Sequence, residues 1–165
     1  TSKGSECQDM QLRYALINAA KGDHLSFFWM LYRLWQRAHT RIWRGVLSFL
    51  LLRSARRHGG YIGPSAVIHG RPALPHGLHG VFISQYAEIG ENCRIYQNVT
   101  IGEVSGRAPY IGPNCCIGAG AVLVGGIRVG RGVKVGAGAV VARDIPDHCT
   151  VVAQPPRISV SSARG

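Results

Sequence analysis

The chain is short of negative charge. Of its 165 residues 8 are Asp or Glu against 19 Lys or Arg, a formal net charge of +11. No acidic residue stands between Asp23 and Glu88, yet eight Arg do, seven of them from Arg33 to Arg57. Lysine is scarce as well, and Lys134 is the only one after residue 21. The five cysteines (Cys7, Cys93, Cys115, Cys116, Cys149) are odd in number and form no Cys-x-x-Cys pair. That argues against a disulfide framework or a zinc site and fits a reducing cytosol. Long apolar runs are missing from the Arg-rich segment too. Its longest, Leu25–Tyr32 and Gly45–Leu52, are eight residues each, where a membrane span needs about 20. No n-region, apolar run and cleavage site appear in order, so no signal peptide is expected, and the start at Thr1 points to a missing or processed initiator region.

What is present is glycine, 22 residues of 165, and it is unevenly placed: three precede residue 59 and nineteen stand from Gly59 onward. Hydrophobic residues make up 46%, which excludes a disordered chain. The length suits one domain, or one domain with an appendage. The composition breaks at Arg57-His58-Gly59-Gly60, giving an expected basic amphipathic helical segment 1–58, a repeat domain 59–158 and a tail 159–165. From Phe27 to Arg53 there is no Pro and one Gly, which predicts helix. Arg33, Arg37, Arg41 and Arg44 then share one face, and Phe28, Leu31, Trp35, Ile42, Val46 and Phe49 lie largely opposite. A shorter helix is predicted around Met10–Lys21. The basic helix over 27–57 suits packing or oligomer contact, or an anionic membrane surface. No nucleic-acid motif accompanies the charge, so no nucleic acid is expected.

The second part is a six-residue repeat. Aliphatic residues recur at Ile111, Ile117, Leu123, Val129, Val135 and Val141 without a gap, and upstream at Ile83, Ile89, Ile95 and Ile101, and at Ile62, Ile68 and Leu74. Loops interrupt the register between Leu74 and Ile83 and between Ile101 and Ile111. Each hexad reads as a short strand plus a turn, three to a triangular coil. The aliphatic residue points inward and stacks on the one eighteen positions later, while glycine supplies the tight turn. The prediction is a mainly β fold, a hexapeptide parallel β-helix of four to five coils.

The segments Ile62-Gly-Pro-Ser-Ala66, Leu74-Pro-His76, Gly80-Val-Phe-Ile83, Ile95-Tyr-Gln-Asn-Val-Thr-Ile-Gly102, Ile117-Gly-Ala-Gly-Ala121, Val129-Gly-Arg-Gly-Val-Lys-Val-Gly-Ala-Gly-Ala-Val-Val141, Asp144-Ile-Pro-Asp147 and Gln154-Pro-Pro-Arg157 together resemble the serine acetyltransferase family over about residues 59–158. The form Leu-Pro-His-Gly with Gly-Val-Phe-Ile-Ser looks closer to the relatives that acetylate sugars in polysaccharide clusters. The resemblance implies left-handed coils, acetyl-CoA as donor, a hydroxyl acceptor, and a trimer with sites between neighbouring solenoids. It implies a histidine base at His76, with His79 as the alternative. It implies donor contacts at Gly118, Ala119, Gly136 and Ala137, with Lys134 as a basic contact. Two positions depart from the family: Tyr61 stands where an acidic residue assists the histidine, and Ala108 falls where a loop histidine is carried. These departures favour a saccharide over free serine.

The chemistry needs three things. A base must take the hydroxyl proton, and His, with an ordinary pKa near 6.5, is the usual choice. Fixed donors must meet the oxyanion, and turn N–H groups of a glycine-rich coil are candidates. Basic residues must meet the phosphates of CoA, with Arg157 a further candidate. His76 and His79 could share an ion, but no acid or thiol lies near in sequence, so no metal is expected. Cys93 and Cys115, at the fifth hexad position, read as core fillers. The leading expectation is a cytoplasmic O-acetyltransferase, peripheral on the inner membrane face if the helix binds lipid. It transfers acetyl directly to a sugar hydroxyl of a surface polysaccharide or its precursor. The alternatives are serine O-acetyltransferase in cysteine synthesis and a non-catalytic assembly module.

Overall fold

The computed structural model describes residues 25–154. Two helices, α1 (Ser26–Arg37) and α2 (Arg41–Arg57), precede thirteen short strands, β1 (Tyr61–Ile62) to β13 (Thr150–Val151). The strands stack into three parallel sheets that form the sides of a triangular solenoid. Side A is ordered β1-β3-β6-β9-β12 (β3 Phe82–Ile83, β6 Thr100–Gly102, β9 Val122–Val124, β12 Val140–Val141). Side B is β2-β4-β7-β10 (β2 Val67–Ile68, β4 Glu88–Ile89, β7 Tyr110–Ile111, β10 Arg128–Val129). Side C is β5-β8-β11-β13 (β5 Arg94–Ile95, β8 Cys116–Ile117, β11 Lys134–Val135).

The register follows the hexad. Ile83 pairs with Ile101, Ile111 with Val129 and Leu123 with Val141, each eighteen residues on. Where the first loop intervenes the step is twenty-one (Ile62 to Ile83), and across the second it is twenty-two (Ile101 to Leu123). The inward column is buried throughout, and fully so from Ile83 through Leu123. Each such side chain contributes about 1.5–3 kcal/mol by leaving water. Two details depart from the expected pattern. The hexad at Leu74 forms no strand, only a bridge from Ala73 to Arg94. Past Val141 the chain makes a further part-coil, in which Ile145 bridges Val129 and Val151 pairs with Val135.

The role assigned to glycine also shifts. The glycine after the inward residue is held by close approach: a Cβ on Gly118 would lie 2.6 Å from the Ala137 nitrogen of the next coil. The left-handed turn residue falls two places later, at Gly120 (φ 69°), and Asn98 (φ 58°) and Asn114 (φ 61°) fill the same kind of position. Asn tolerates this region better than other residues with a Cβ.

The single helix expected over 27–53 is two. Thr40 caps α2, its Oγ1 accepting from the Trp43 amide at 3.4 Å. The chain folds back so that Trp35 donates to the Ser48 hydroxyl at 2.8 Å, and the Arg44 guanidinium covers Trp35 at 5.1 Å. The four arginines therefore do not share one face. Phe28, Trp29, Leu31 and Tyr32 of α1 are buried against the first coil, as are Leu51 and Ala55 of α2. The Tyr32 hydroxyl donates to the Ala66 carbonyl. Ile42, Val46 and Phe49, expected on one face with Phe28, Leu31 and Trp35, are instead exposed while Phe28 and Leu31 are buried. Met10–Lys21, Arg157 and the tail 159–165 lie outside the described residues.

Candidate active site

The edge where side C turns into side A carries most of the residues singled out by the sequence. In the first coil it is the turn 75–80, which holds His76 and His79. In the second it is Tyr96-Gln97-Asn98, in the third Gly118-Ala119-Gly120, and in the fourth Gly136-Ala137-Gly138. A ladder of backbone hydrogen bonds runs down this edge: Asn98 N–H to His79 O at 2.9 Å, Gly120 N–H to Gln97 O at 3.0 Å, and Gly138 N–H to Ala119 O at 2.9 Å. With coils about 4.8 Å apart, the His76 coil lies about 10 Å from that of Gly118 and about 14 Å from that of Gly136. The amides of Ala119 and Ala137 donate to no carbonyl among the described residues. Lys134 stands exposed on side C, two residues before Gly136.

His76 is exposed, and its ring centre is 6.1 Å from that of Tyr96 on the next coil. His79 is exposed in the same turn and faces the backbone of Gly59, where an added Cβ would lie 3.6 Å from its Nδ1. So His76 overlooks the edge running down toward Ala119 and Ala137, while His79 lies back toward the helices. His69 is elsewhere, on side B, with Nε2 2.8 Å from Glu88 Oε1. Among the described residues no three His, Cys, Asp or Glu converge as a metal site.

The two positions that depart from the family pattern are Tyr61, at the start of side A, and Ala108, in the loop after β6. Tyr61 is half-buried on side A and its ring stacks with Phe82 at 6.4 Å. The loop after β6 is closed by a bridge between Val104 and Arg107, with Ser105 and Gly106 in left-handed conformation at its tip. Glu103 at its base accepts from the Ser84 hydroxyl at 2.7 Å. This loop leaves the edge between sides A and B, so in one chain it is separated from His76 by the width of side A. Cys93 and Cys115 are buried one above the other, with sulfur contacts to Gly112 O at 3.3 Å and Gly130 O at 3.1 Å. Their hydrogen bond, with burial, pushes the Cys93 thiol up. They sit in the core, as expected of fillers.

Residues 108–143 match the family model described as bacterial transferase hexapeptide (six repeats). Serine acetyltransferase of Bacillus pumilus is 43% identical over 110 residues, 64% of this chain and 50% of that protein. The Mycobacterium tuberculosis serine acetyltransferase is 34% identical over 149 residues, 88% of this chain and 61% of that protein. The crystal structure of the Neisseria gonorrhoeae serine acetyltransferase in complex with serine superposes with a TM-score of 0.69 at 34% identity, covering 79% of this chain and 55% of that one. The solenoid is serine acetyltransferase-like. The chain spans about half the length of the relatives it matches.

On this serine acetyltransferase-like edge, one feature was passed over in the sequence. Gln97 occupies the corner position that Ala119 and Ala137 occupy in later coils. Its side-chain Oε1 is buried with no hydrogen-bond partner among the described residues. A buried unpaired acceptor is costly, and here it lies one coil from His76 on the same edge. No pattern in the sequence marks it, since the same hexad position carries Gln85, Glu91 and Arg131 elsewhere in the repeat.

Proposed function

We propose that the chain transfers an acetyl group from acetyl-CoA to a hydroxyl, with free serine as the acceptor. His76 takes the hydroxyl proton as the oxygen attacks the thioester carbon. The new C–O bond forms, the carbonyl oxygen becomes an oxyanion, and collapse expels the CoA thiolate, which picks up a proton. Free turn amides on the edge are suited to bind the extended donor, and Lys134, with Arg157, to meet its phosphates. The observation that carries this reading is the placement of an exposed histidine at the head of an edge that also holds Gly118, Ala119, Gly136 and Ala137.

The motif forms at Leu74–His76 and Gly80–Ser84, with Tyr61 and Ala108, favoured a sugar acceptor. The relatives found by similarity are named serine acetyltransferases, and this supports serine over the saccharide. We propose a trimer as the working form. Side A presents Tyr61, Phe82, Thr100, Val122 and Val140 outward, with Phe82 51% and Val140 72% exposed. It is the least polar side, since sides B and C present Glu88, Arg128, Arg94 and Lys134. A neighbour packed there would bring its own Glu103 loop toward the His76 edge.

The test is release of free thiol from acetyl-CoA with serine and a panel of sugars offered separately. Serine-dependent release is expected. Release with a sugar and none with serine would restore the saccharide reading, and no acetyl-CoA binding at all would favour an assembly module.

A further inference from the structure

The outer face of α2 is apolar and exposed. Ile42, Val46 and Phe49 fall on one stripe at helical spacing, flanked by Trp43 and Leu50. Ile42 is 80% exposed, Trp43 64% and Phe49 64%. The buried residues of α2, Leu51, Ser54 and Ala55, lie on the opposite side toward α1 and the first coil. Farther along the exposed stripe the apolar residues give way to Arg53, with Arg56 and Arg57 beside it, all exposed. Arg37 and Arg41 flank the hairpin bend. No carboxylate lies anywhere in the sequence between Asp23 and Glu88 to neutralise these cations.

A contiguous exposed apolar patch ringed by charge of one sign marks a contact surface. We infer that the exposed face of α2 docks the protein on an anionic lipid bilayer. Ile42, Trp43, Val46 and Phe49 enter the headgroup–acyl boundary, and Arg41, Arg53, Arg56 and Arg57 meet lipid phosphates. Charge complementarity decides the occupant. A bilayer offers apolar depth and negative charge side by side, whereas a second copy of this face would oppose arginine to arginine. Neither helix is long and apolar enough to cross a membrane, so the contact is interfacial. It lies on α2, and Phe28 and Leu31 of α1, both buried, take no part.

The experiment uses the full chain with vesicles of phosphatidylcholine alone and with about 30% phosphatidylglycerol. Binding is expected to the anionic vesicles only, with a blue shift of Trp43 emission, because Trp29 and Trp35 already lie within the fold. It should weaken by roughly tenfold or more as salt rises from about 0.05 M to about 0.5 M. The double variant Trp43→Ser/Phe49→Ser alters only exposed side chains and should lose binding by roughly tenfold or more with circular dichroism unchanged. Arg53→Gln/Arg56→Gln/Arg57→Gln should lose it comparably. Equal binding to both vesicles, binding to neither, or full binding by both variants would overturn the inference. So would unaltered vesicle binding by the Ser variant combined with loss of self-association, which would give the face to a second copy.

Discussion

At the scale of single residues, the positions that hold the repeat are constrained in different ways. Gly118 leaves no room for a Cβ because its coil nearly touches the next. Asn114 has room for a side chain but its backbone is left-handed at φ 61°. Asn114 is exposed, so its side chain can be changed without disturbing the core. Asn114→Ala should cost about 1 kcal/mol in urea unfolding, and Asn114→Gly should be close to neutral. A near-zero cost for both would mean the left-handed turn is not maintained. The inward positions were legible in the sequence because burial of one side chain per hexad leaves an unbroken aliphatic period. The reason for each glycine was not legible, since close approach and positive φ leave the same letter behind.

At the scale of elements, the helical hairpin and the solenoid were unequally readable. Strands stop where the hexad says they should, because each coil copies the register of the one before it. The helix break at Ala38–Thr40 carried no Pro or Gly. It comes from the Thr40 cap and from Trp35 finding Ser48 across the bend, a contact that no local pattern announces. The hairpin is tied to the first coil by Tyr32, whose phenol burial pushes up. The sign follows: the folded state holds the phenolic proton more tightly, so this stabilisation is complete below about pH 10 and declines as pH rises further. Tyr32→Phe should cost about 1 kcal/mol at neutral pH and should flatten the alkaline loss of stability, read as urea midpoints across pH. A midpoint equal to wild type at every pH would mean Tyr32 does not tie the hairpin down.

At the scale of the whole molecule, side A separates the His76 edge from the Glu103 loop, and a partner would bring the two together. Light scattering should therefore give a trimer, and Phe82→Asp should shift it toward monomer with acetyl transfer falling in parallel. A wild-type monomer at micromolar concentration, or a fully active monomeric variant, would put the whole site within one chain. Candidate site residues were legible as a set, because His76, Ala119 and Ala137 fall at the same corner of the first, third and fourth coils. Gln97 was hidden, since only burial distinguishes it from any polar turn residue. The acceptor was not readable, because the hexad specifies the solenoid and its edge, while the acceptor is chosen by the loops that break the hexad. The measurement that bears most directly on the central claim is serine-dependent thiol release from acetyl-CoA by wild type, His76→Ala and His79→Ala. His76→Ala should lower turnover by roughly 10²–10⁴-fold with acetyl-CoA affinity near wild type, and His79→Ala should matter far less. Full turnover without His76 would contradict the histidine mechanism placed on this edge.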